Sequence, residues 1–226
     1  MTLLRYIRSS GFRIPAEYET VEVDPDGRLA GWRSVSVGAV GSFEGRLGAA
    51  DVADVRAAVD RALAAPPPGG PARPGSSSET VELDDGFAVS VEAAGDAGEA
   101  SDAAWRAVRD LGRDLAERQL AFPVAAIALA GRDDRDDRLE FRGTHPLELD
   151  LSGAVVERYG VRADGTREGG AVALPGGGRV DASPGWTLPL PAADAAGPPR
   201  VQVVVRFGIV AGGRTVPVEL ASPAPD

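Results

Sequence analysis

The residue types that carry most enzyme chemistry are scarce in this 226-residue chain. It contains one histidine, His145, and no cysteine or lysine. A Ser–His–Asp triad would have to use His145, yet no nucleophile-elbow pattern is present and Pro146 follows it as in a turn. A zinc site with one His and no Cys would need an unusual set of carboxylate or water ligands. We therefore predict no metal site, no cofactor and no catalytic residue, with His145 an ordinary turn residue.

Acidic and glycine-rich stretches are the other candidates for chemistry. The run 132–138 contains four Asp that could offer oxygen ligands to Ca²⁺, but its spacing is not that of an EF-hand and Arg135 lies among them. Residues 24–27 resemble the start of a calcium loop without its downstream Glu, and residues 176–178 lack the Lys and helix of a phosphate loop. We interpret all three as turns or connections. Glycoside hydrolysis by a pair of carboxylates stays an open alternative, because an acidic chain contains many candidate pairs.

The overall charge narrows the classes of partner. The formal net charge is -10 and the sequence pI about 4.7, which disfavours nucleic acid and anionic membranes as partners. No apolar stretch approaches the roughly 20 residues of a membrane span. Arg5 and Arg8 interrupt the N-terminal apolar run, so it lacks the pattern of a signal peptide, and the expected location is the cytoplasm.

The first half of the chain mixes the periods of strands and helices. Alternating apolar residues predict strands, and spacings of three and four predict helices. The predicted strands are Leu3–Ile7, Glu17–Val23 and Arg28–Val37, with Glu79–Ala93 as a hairpin and Gly38–Gly45 as a loop. The predicted helices are Ala49–Ala65 and Asp102–Leu120, and the Pro/Gly/Ser-rich stretch 66–78 is predicted to be a mobile linker.

The second half shows only strand-like pieces broken by Gly and Pro. Five apolar residues alternate from Val201 to Ile209, and Gly212–Gly213 forms a turn into a last strand. Several strands at this spacing without a helix are typical of an antiparallel β-sandwich. We therefore predict an α+β protein: an N-terminal α/β domain of antiparallel hairpins with two helices (1–122), followed by a C-terminal antiparallel β-sandwich (123–226).

Two aromatic residues flank the predicted loop of the first domain. Trp32 and Phe43 are of the type enriched at interface hot spots, which makes them candidates for a partner-binding surface. A place in the core is favoured over this for both, since the chain has few aromatic residues.

The turn after the first strand reads Arg8-Ser9-Ser10-Gly11-Phe12. With the order of strand, turn, strand, helix, Pro-rich connection, Asp-Gly hairpin and helix, this motif resembles the emfourin family, inhibitors of thermolysin-like (protealysin-type) zinc metalloproteases. The resemblance covers the N-terminal half only. Ser10 stands where the family usually has a second Gly, Arg28–Gly45 is an insertion, and the C-terminal half is an addition.

The resemblance implies that a rigid hairpin edge occludes the protease cleft, because a preorganised edge loses little ordering entropy on binding. The residues it assigns to the contact surface are Arg8, Ser9, Ser10, Gly11, Phe12, Arg13 and Ile14. The leading hypothesis is a non-catalytic protein-binding module of this inhibitor kind. The alternative is a non-inhibitory adaptor or accessory subunit of a multi-protein bacterial system, in defence or proteolysis, and the additional C-terminal half favours it.

Overall fold

The computed structural model describes residues 2–10, 15–66, 78–83, 87–92, 101–131, 137–161, 167–174, 177–191 and 201–223. It is built mostly of antiparallel β-sheet with two α-helices, so the predicted α+β class is confirmed with a strong β character. Contacts within the chain divide it into two compact units, Met1–Arg33 with Ser42–Phe122 and Ser34–Gly41 with Pro123–Asp226. The division into two separate domains, 1–122 and 123–226, stays a prediction.

The elements follow one another along the described part of the chain. The strands are β1 (Leu4–Ser9), β2 (Tyr18–Val23), β3 (Arg28–Arg33), β4 (Val35–Ser36), β5 (Ala39–Arg46), β6 (Ser78–Leu83), β7 (Phe87–Glu92), β8 (Pro123–Ala130), β9 (Arg138–Gly143), β10 (Leu147–Val161), β11 (Arg167–Ala173), β12 (Arg179–Ala182), β13 (Thr187–Pro189), β14 (Val201–Ala211) and β15 (Arg214–Ala221). The helices are α1 (Ala49–Leu63) and α2 (Ser101–Arg118), and a 3₁₀ turn (Gln119–Ala121) continues α2.

The first unit is an antiparallel sheet with both helices on one face. Its strand order is β7–β6–β1–β2–β3, and β5 follows β3. Directly paired residues point to the same face, so the apolar alternation of the strands gives this face two apolar rows that form a core with the helices. We call it the helix face; its core residues from the strands are Leu4, Tyr6, Val21, Val23, Leu29, Val81 and Leu83.

Each helix buries one apolar stripe against that face and is held at its ends by polar contacts. The backbone N–H of Gly48 donates to Asp51 in the first turn of α1, where negative charge favours the helix dipole. Arg118 of α2 forms an ion pair with Asp51 at 3.0 Å. The indole N–H of Trp105, a side chain only 1% exposed, donates to the carbonyl of Pro66. The two helices are therefore tied together as well as packed.

The second unit contains a six-stranded sheet with one apolar face. β10 pairs with β11, β12 and β14, all antiparallel, and β14 pairs with β15. Val203, Val205, Phe207 and Ile209 of β14 are buried as the apolar alternation predicts, and Val204 is buried as well. β8, β9 and β13 form a separate antiparallel set, with Ile127 and Leu139 fully buried. Both sets turn apolar residues inward.

Two sequence predictions about local structure are wrong. The expected loop Gly38–Gly45 is largely strand β5; its glycines hid the pattern, and Gly41 (φ 127°) is needed because a Cβ there would overlap the backbone of Ala125. The expected single strand Arg28–Val37 is instead divided into β3 and β4, and β4 pairs parallel with β15. A two-residue pairing between segments so distant in sequence leaves no periodic signal.

Gly112 of α2 lies where the ring of Tyr6 crosses the helix, and an added Cβ would come within 2.7 Å of ring atom Cγ. Helix propensity alone favours Ala by about 1 kcal/mol, whereas overpacking costs about 1–3 kcal/mol. We expect Gly112→Ala to lower the free energy of unfolding, measured in urea, by up to about 2 kcal/mol. Ala107→Gly, at an exposed position of α2, is the control for propensity. Stabilisation by Gly112→Ala would contradict this packing.

Gln119 is fully buried against Gly31, where a Cβ would overlap its Oε1. Within the described part of the chain both amide atoms of Gln119 lack a hydrogen-bond partner. A buried unpaired polar group costs about 1–3 kcal/mol, so Gln119→Met should raise the free energy of unfolding by about 1 kcal/mol or more. Gln202→Met is the control, because the half-exposed Gln202 bonds to Ser222 and should give little change. A destabilised Gln119→Met protein would refute this description.

Candidate functional site

A row of alternating charges crosses the helix face of the first unit, at the end where β1 leads into β2. Strand pairing places Glu79 beside Arg8, Arg8 beside Glu19, and Glu19 beside Arg33. We call these four residues the charged row. Glu79, Glu19 and Arg33 are buried beside the apolar rows and need partners there, whereas the Arg8 side chain is 46% exposed.

Glu79 is the most completely buried carboxylate of the charged row, with a side chain 3% exposed. The hydroxyl of Tyr6 donates to it at 2.6 Å, and Arg113 of α2 donates through Nε and Nη2 at 2.7 and 2.6 Å. Burial would raise the pKa of Glu79, but the hydrogen bonds from Arg113 and Tyr6 outweigh it and lower that pKa. Burial and the same contact raise the pKa of the Tyr6 hydroxyl. The carboxylate thus fastens β6, β1 and α2 together.

Arg33 connects the other end of the charged row to the same helix. Its Nη2 donates to the carbonyl of Ala116 at 3.0 Å and to Glu117 at 2.8 Å. Arg33 also forms an ion pair with Glu19, although Glu19 Oε1 lacks hydrogen-bond geometry. Burial raises the pKa of Glu19 despite the nearby positive charge of Arg33. The surroundings of Glu19 therefore disfavour the ionised carboxylate, whereas those of Glu79 favour it.

The connection between β1 and β2 is closed at its base by Ser10. Ser10 is 8% exposed; its backbone N–H donates to the carbonyl of Glu17, and its hydroxyl accepts from the Glu17 N–H, both at 3.0 Å. Arg8 adds an ion pair with the Glu17 carboxylate at 3.3 Å. These contacts hold the end of β1, where the predicted motif begins, against the chain that leads into β2.

The opposite side of the same strands bears a different set of residues. We call it the outer face, and its residues are Ile7, Ser9, Tyr18, Thr20, Thr80 and Trp32. Ser9 pairs with Tyr18, and Thr20 pairs with Trp32, so the two aromatic residues are diagonal neighbours. Tyr18 is 41% exposed and Trp32 half-buried. None of these six belongs to the core that the helices form.

An ion-pair cluster borders the outer face. Arg5 lies between two carboxylates, with Nε 2.8 Å from Glu22 and Nη1 3.2 Å from Glu82. All three side chains are between 33% and 40% exposed, so solvent screens the attraction between their charges. On the outer face Thr20 is buried, Trp32 half-buried and Tyr18 exposed, and the Arg5 cluster forms a polar border.

The structure separates the residues that the sequence assigned to partner binding. Ser9 and Trp32 lie on the outer face, Arg8 belongs to the charged row, and Ser10 closes the loop base. Phe43 is 2% exposed within β5, so its ring is not at the surface. Gly11, Phe12, Arg13 and Ile14 lie outside the described residues.

The residues considered for enzyme or metal chemistry do not converge in the described part of the chain. His145 is exposed in the bend between β9 and β10, with Nδ1 3.0 Å from the hydroxyl of Thr144. Of the acidic run, Asp137 is described, and it forms an ion pair with Arg158 at 2.7 Å. Among the described residues no group of three or more His, Asp or Glu could hold a metal ion, and no helix is both long and apolar enough to cross a membrane.

Comparison with family models, with curated proteins and with solved structures found no match to this chain. The likeness to emfourins therefore rests on the residues and the order of elements given above, and it stays a prediction.

Tyr18 and the charged row are the features that sequence reasoning missed. Glu19, Arg33 and Glu79 each fall in phase with the inward apolar residues of their strands, as in Glu79-Thr-Val81-Glu-Leu83. A charge at an inward position is the signal that could have found the row, but its partners come from strands distant in sequence.

Glu79→Gln should destabilise the protein, because Arg113 loses its charged partner in a buried setting. Breaking a fully buried pair costs roughly 3–5 kcal/mol, and since Arg113 is 44% exposed we expect about 2–3 kcal/mol in urea unfolding at neutral pH. Asp110→Asn is the matched control: Asp110 pairs with the same arginine but is 58% exposed, so the loss should stay below about 1 kcal/mol. Equal effects of the two changes would contradict the role of Glu79.

The Glu79 contribution should also depend on pH. Because its folded pKa is lowered, the difference in unfolding free energy between wild type and Glu79→Gln is complete above the unfolded pKa, about 4.3, and disappears as pH falls through the folded value. The pKa of Glu19 is raised in the folded protein, so ionised Glu19 lowers the free energy of unfolding. Glu19→Gln should remove this destabilisation at pH values above the folded pKa of Glu19. Urea unfolding across the acidic range separates the two, and a pH-independent Glu79→Gln difference would refute the assignment.

Proposed function

We propose that this chain is a non-catalytic protein-binding module, and that the first unit docks its partner through the outer face and the β1–β2 connection. The observation that carries the proposal is the pair Tyr18 and Trp32, brought to one face beside the clamped base of the connection. Tyr and Trp provide large contact areas at a low cost in side-chain entropy, and they dominate interface hot spots.

Rigidity behind this surface supports the same proposal. The charged row fastens β6, β1, β2 and β3 to α2 through Glu79 and Arg33. A surface that is already ordered loses little entropy when a partner binds, so more of the contact energy appears as affinity. The Ser10 contacts extend this order to the first residues of the connection.

The specific form we propose is emfourin-like inhibition of a thermolysin-like zinc metalloprotease by occlusion of its cleft. Its support is the Arg8–Phe12 motif in the sequence, of which Arg8 and Ser9 end β1, together with the order of strands and helices. In this form the chain contributes shape and contact surface and takes no part in a chemical step. The cysteine-free composition suits the reducing cytoplasm as its location.

The alternative is a non-inhibitory adaptor in a multi-protein bacterial system. The second unit favours it, because about half the chain forms further β-structure that the small inhibitors lack. We propose that this unit is sandwich-like, on the ground that the six-stranded sheet and the β8–β9 pair both bury an apolar face. An adaptor would use the second unit to hold a second partner.

Inhibition of a thermolysin-like protease with a fluorogenic substrate tests the specific form. We expect the full chain to inhibit, and Tyr18→Ala and Trp32→Ala each to weaken inhibition about 5- to 30-fold, equal to about 1–2 kcal/mol of lost contact. Val172→Ala is the matched control, since Val172 is 53% exposed in the second unit and should leave inhibition unchanged. Far-UV circular dichroism verifies that each variant is folded.

Two outcomes contradict parts of this proposal. An unchanged protease rate with excess wild-type protein overturns the inhibitor form. For the adaptor, affinity capture from the source cell is compared between wild type, Tyr18→Ala and Val172→Ala. A stoichiometric partner retained equally by all three refutes binding through the outer face, whereas loss with Tyr18→Ala alone supports it.

A further inference from the structure

Strand β7 ends the sheet of the first unit. Its six residues pair with β6 in an unbroken antiparallel register, from Ser78 opposite Glu92 to Leu83 opposite Phe87. Among the described residues no other strand pairs with β7. In an antiparallel ladder, alternate residues direct their N–H and C=O groups toward the side away from the partner strand. β7 therefore presents backbone donors and acceptors along its far edge.

The features that usually protect a sheet edge are missing from β7. Edge strands are commonly blunted by Pro, Lys, bulges or very short length. β7 reads Phe-Ala-Val-Ser-Val-Glu, without Pro, Gly or Lys, and its register with β6 has no shift. The end strands of the second unit differ: β13 has three residues and ends in Pro189, and β11 contains Gly169 and Gly170. The β7 edge is thus suited to accept an added strand.

The charge around β7 indicates what kind of strand it would accept. The stretch 79–102, which includes β6 and β7, contains eight carboxylates and no basic residue, although the chain has 24 arginines. Among the carboxylates of this stretch that the structure describes, Glu79 pairs with Arg113 and Glu82 with Arg5. A second copy of this chain would bring the same acidic sequence to the edge, and like charges oppose such pairing. A basic segment is attracted instead.

We propose that β7 binds a basic, extended segment of a partner protein, which adds to the sheet as a further strand. The register also defines the pattern of that segment. Phe87, Val89 and Val91 lie in line with the helix-face positions of β6, and Ala88, Ser90 and Glu92 with its outer-face positions. An added strand matches both faces when apolar and basic residues alternate. This site is separate from the surface of the proposed function.

Fluorescence anisotropy with the full chain tests the proposal. The probe is a labelled octapeptide of alternating Arg and Val, and the comparison peptide has Glu in place of Arg. We expect saturable binding of the Arg peptide, weakened by added salt, and at least a tenfold preference over the Glu peptide. Absence of binding by the Arg peptide, or equal binding of both peptides, overturns the proposal.

Two N-methylated probes distinguish strand addition from simple charge attraction. One carries N-methyl groups on every Arg and the other on every Val, so each removes the N–H groups from one edge of the peptide. If the peptide pairs with β7, one of the two loses at least tenfold in affinity and the other binds like the parent. Equal affinities of both N-methylated probes show electrostatic attachment only and refute strand addition.

A protein variant locates the site. Ser90→Lys places positive charge at the middle of β7 and should weaken the Arg peptide at least fivefold, whereas Thr187→Lys makes the same change in β13 and should alter it less than twofold. Thermal unfolding verifies both folds. Tyr18→Ala should leave peptide affinity unchanged, so failure here is distinguishable from failure of the outer face. Equal effects of the two Lys variants would contradict the placement.

Discussion

The first unit depends on one buried carboxylate. Glu79 accepts hydrogen bonds from Tyr6 of the neighbouring strand and from Arg113 of α2, and its side chain is only 3% exposed. A buried carboxylate without partners would greatly lower the free energy of unfolding. Because the partners of Glu79 come from β1 and α2, the strand register and the helix position are fixed together. Arg33 repeats the arrangement at the other end of the charged row, where it bonds to Glu117 and the carbonyl of Ala116.

This constraint explains why the two faces of the sheet differ. The helices cover one face and satisfy the charged row, which leaves Tyr18 and Trp32 on the other. Hydrogen bonds with α2 order the strands behind the outer face, which is the reason we propose that face as a docking surface. The proposed strand-binding site at β7 is a second such place, because no strand among the described residues pairs with its far edge.

Local periodicity predicted much of this architecture. Both helices begin within one residue of the predicted position, and the alternation of β14 identified a buried strand. What failed depends on contacts distant in sequence: β4 exists only through its pairing with β15, and β5 is interrupted by glycines that allow close backbone approach. The proposed partner-binding residues were likewise predictable only in part. The turn motif was visible, but which side chains share a face with Trp32 followed only from strand register.

The helices cover one face of this sheet, and we propose that the other face is available to a partner. Nitration of tyrosines under native conditions, followed by peptide mass spectrometry, tests it directly, because reaction requires an accessible phenol that can ionise. Tyr6 is fully buried with a raised pKa, and Tyr18 is 41% exposed. The account predicts rapid modification of Tyr18 and protection of Tyr6 until the protein unfolds. Modification of Tyr6 at the rate of Tyr18, or protection of Tyr18, would contradict it.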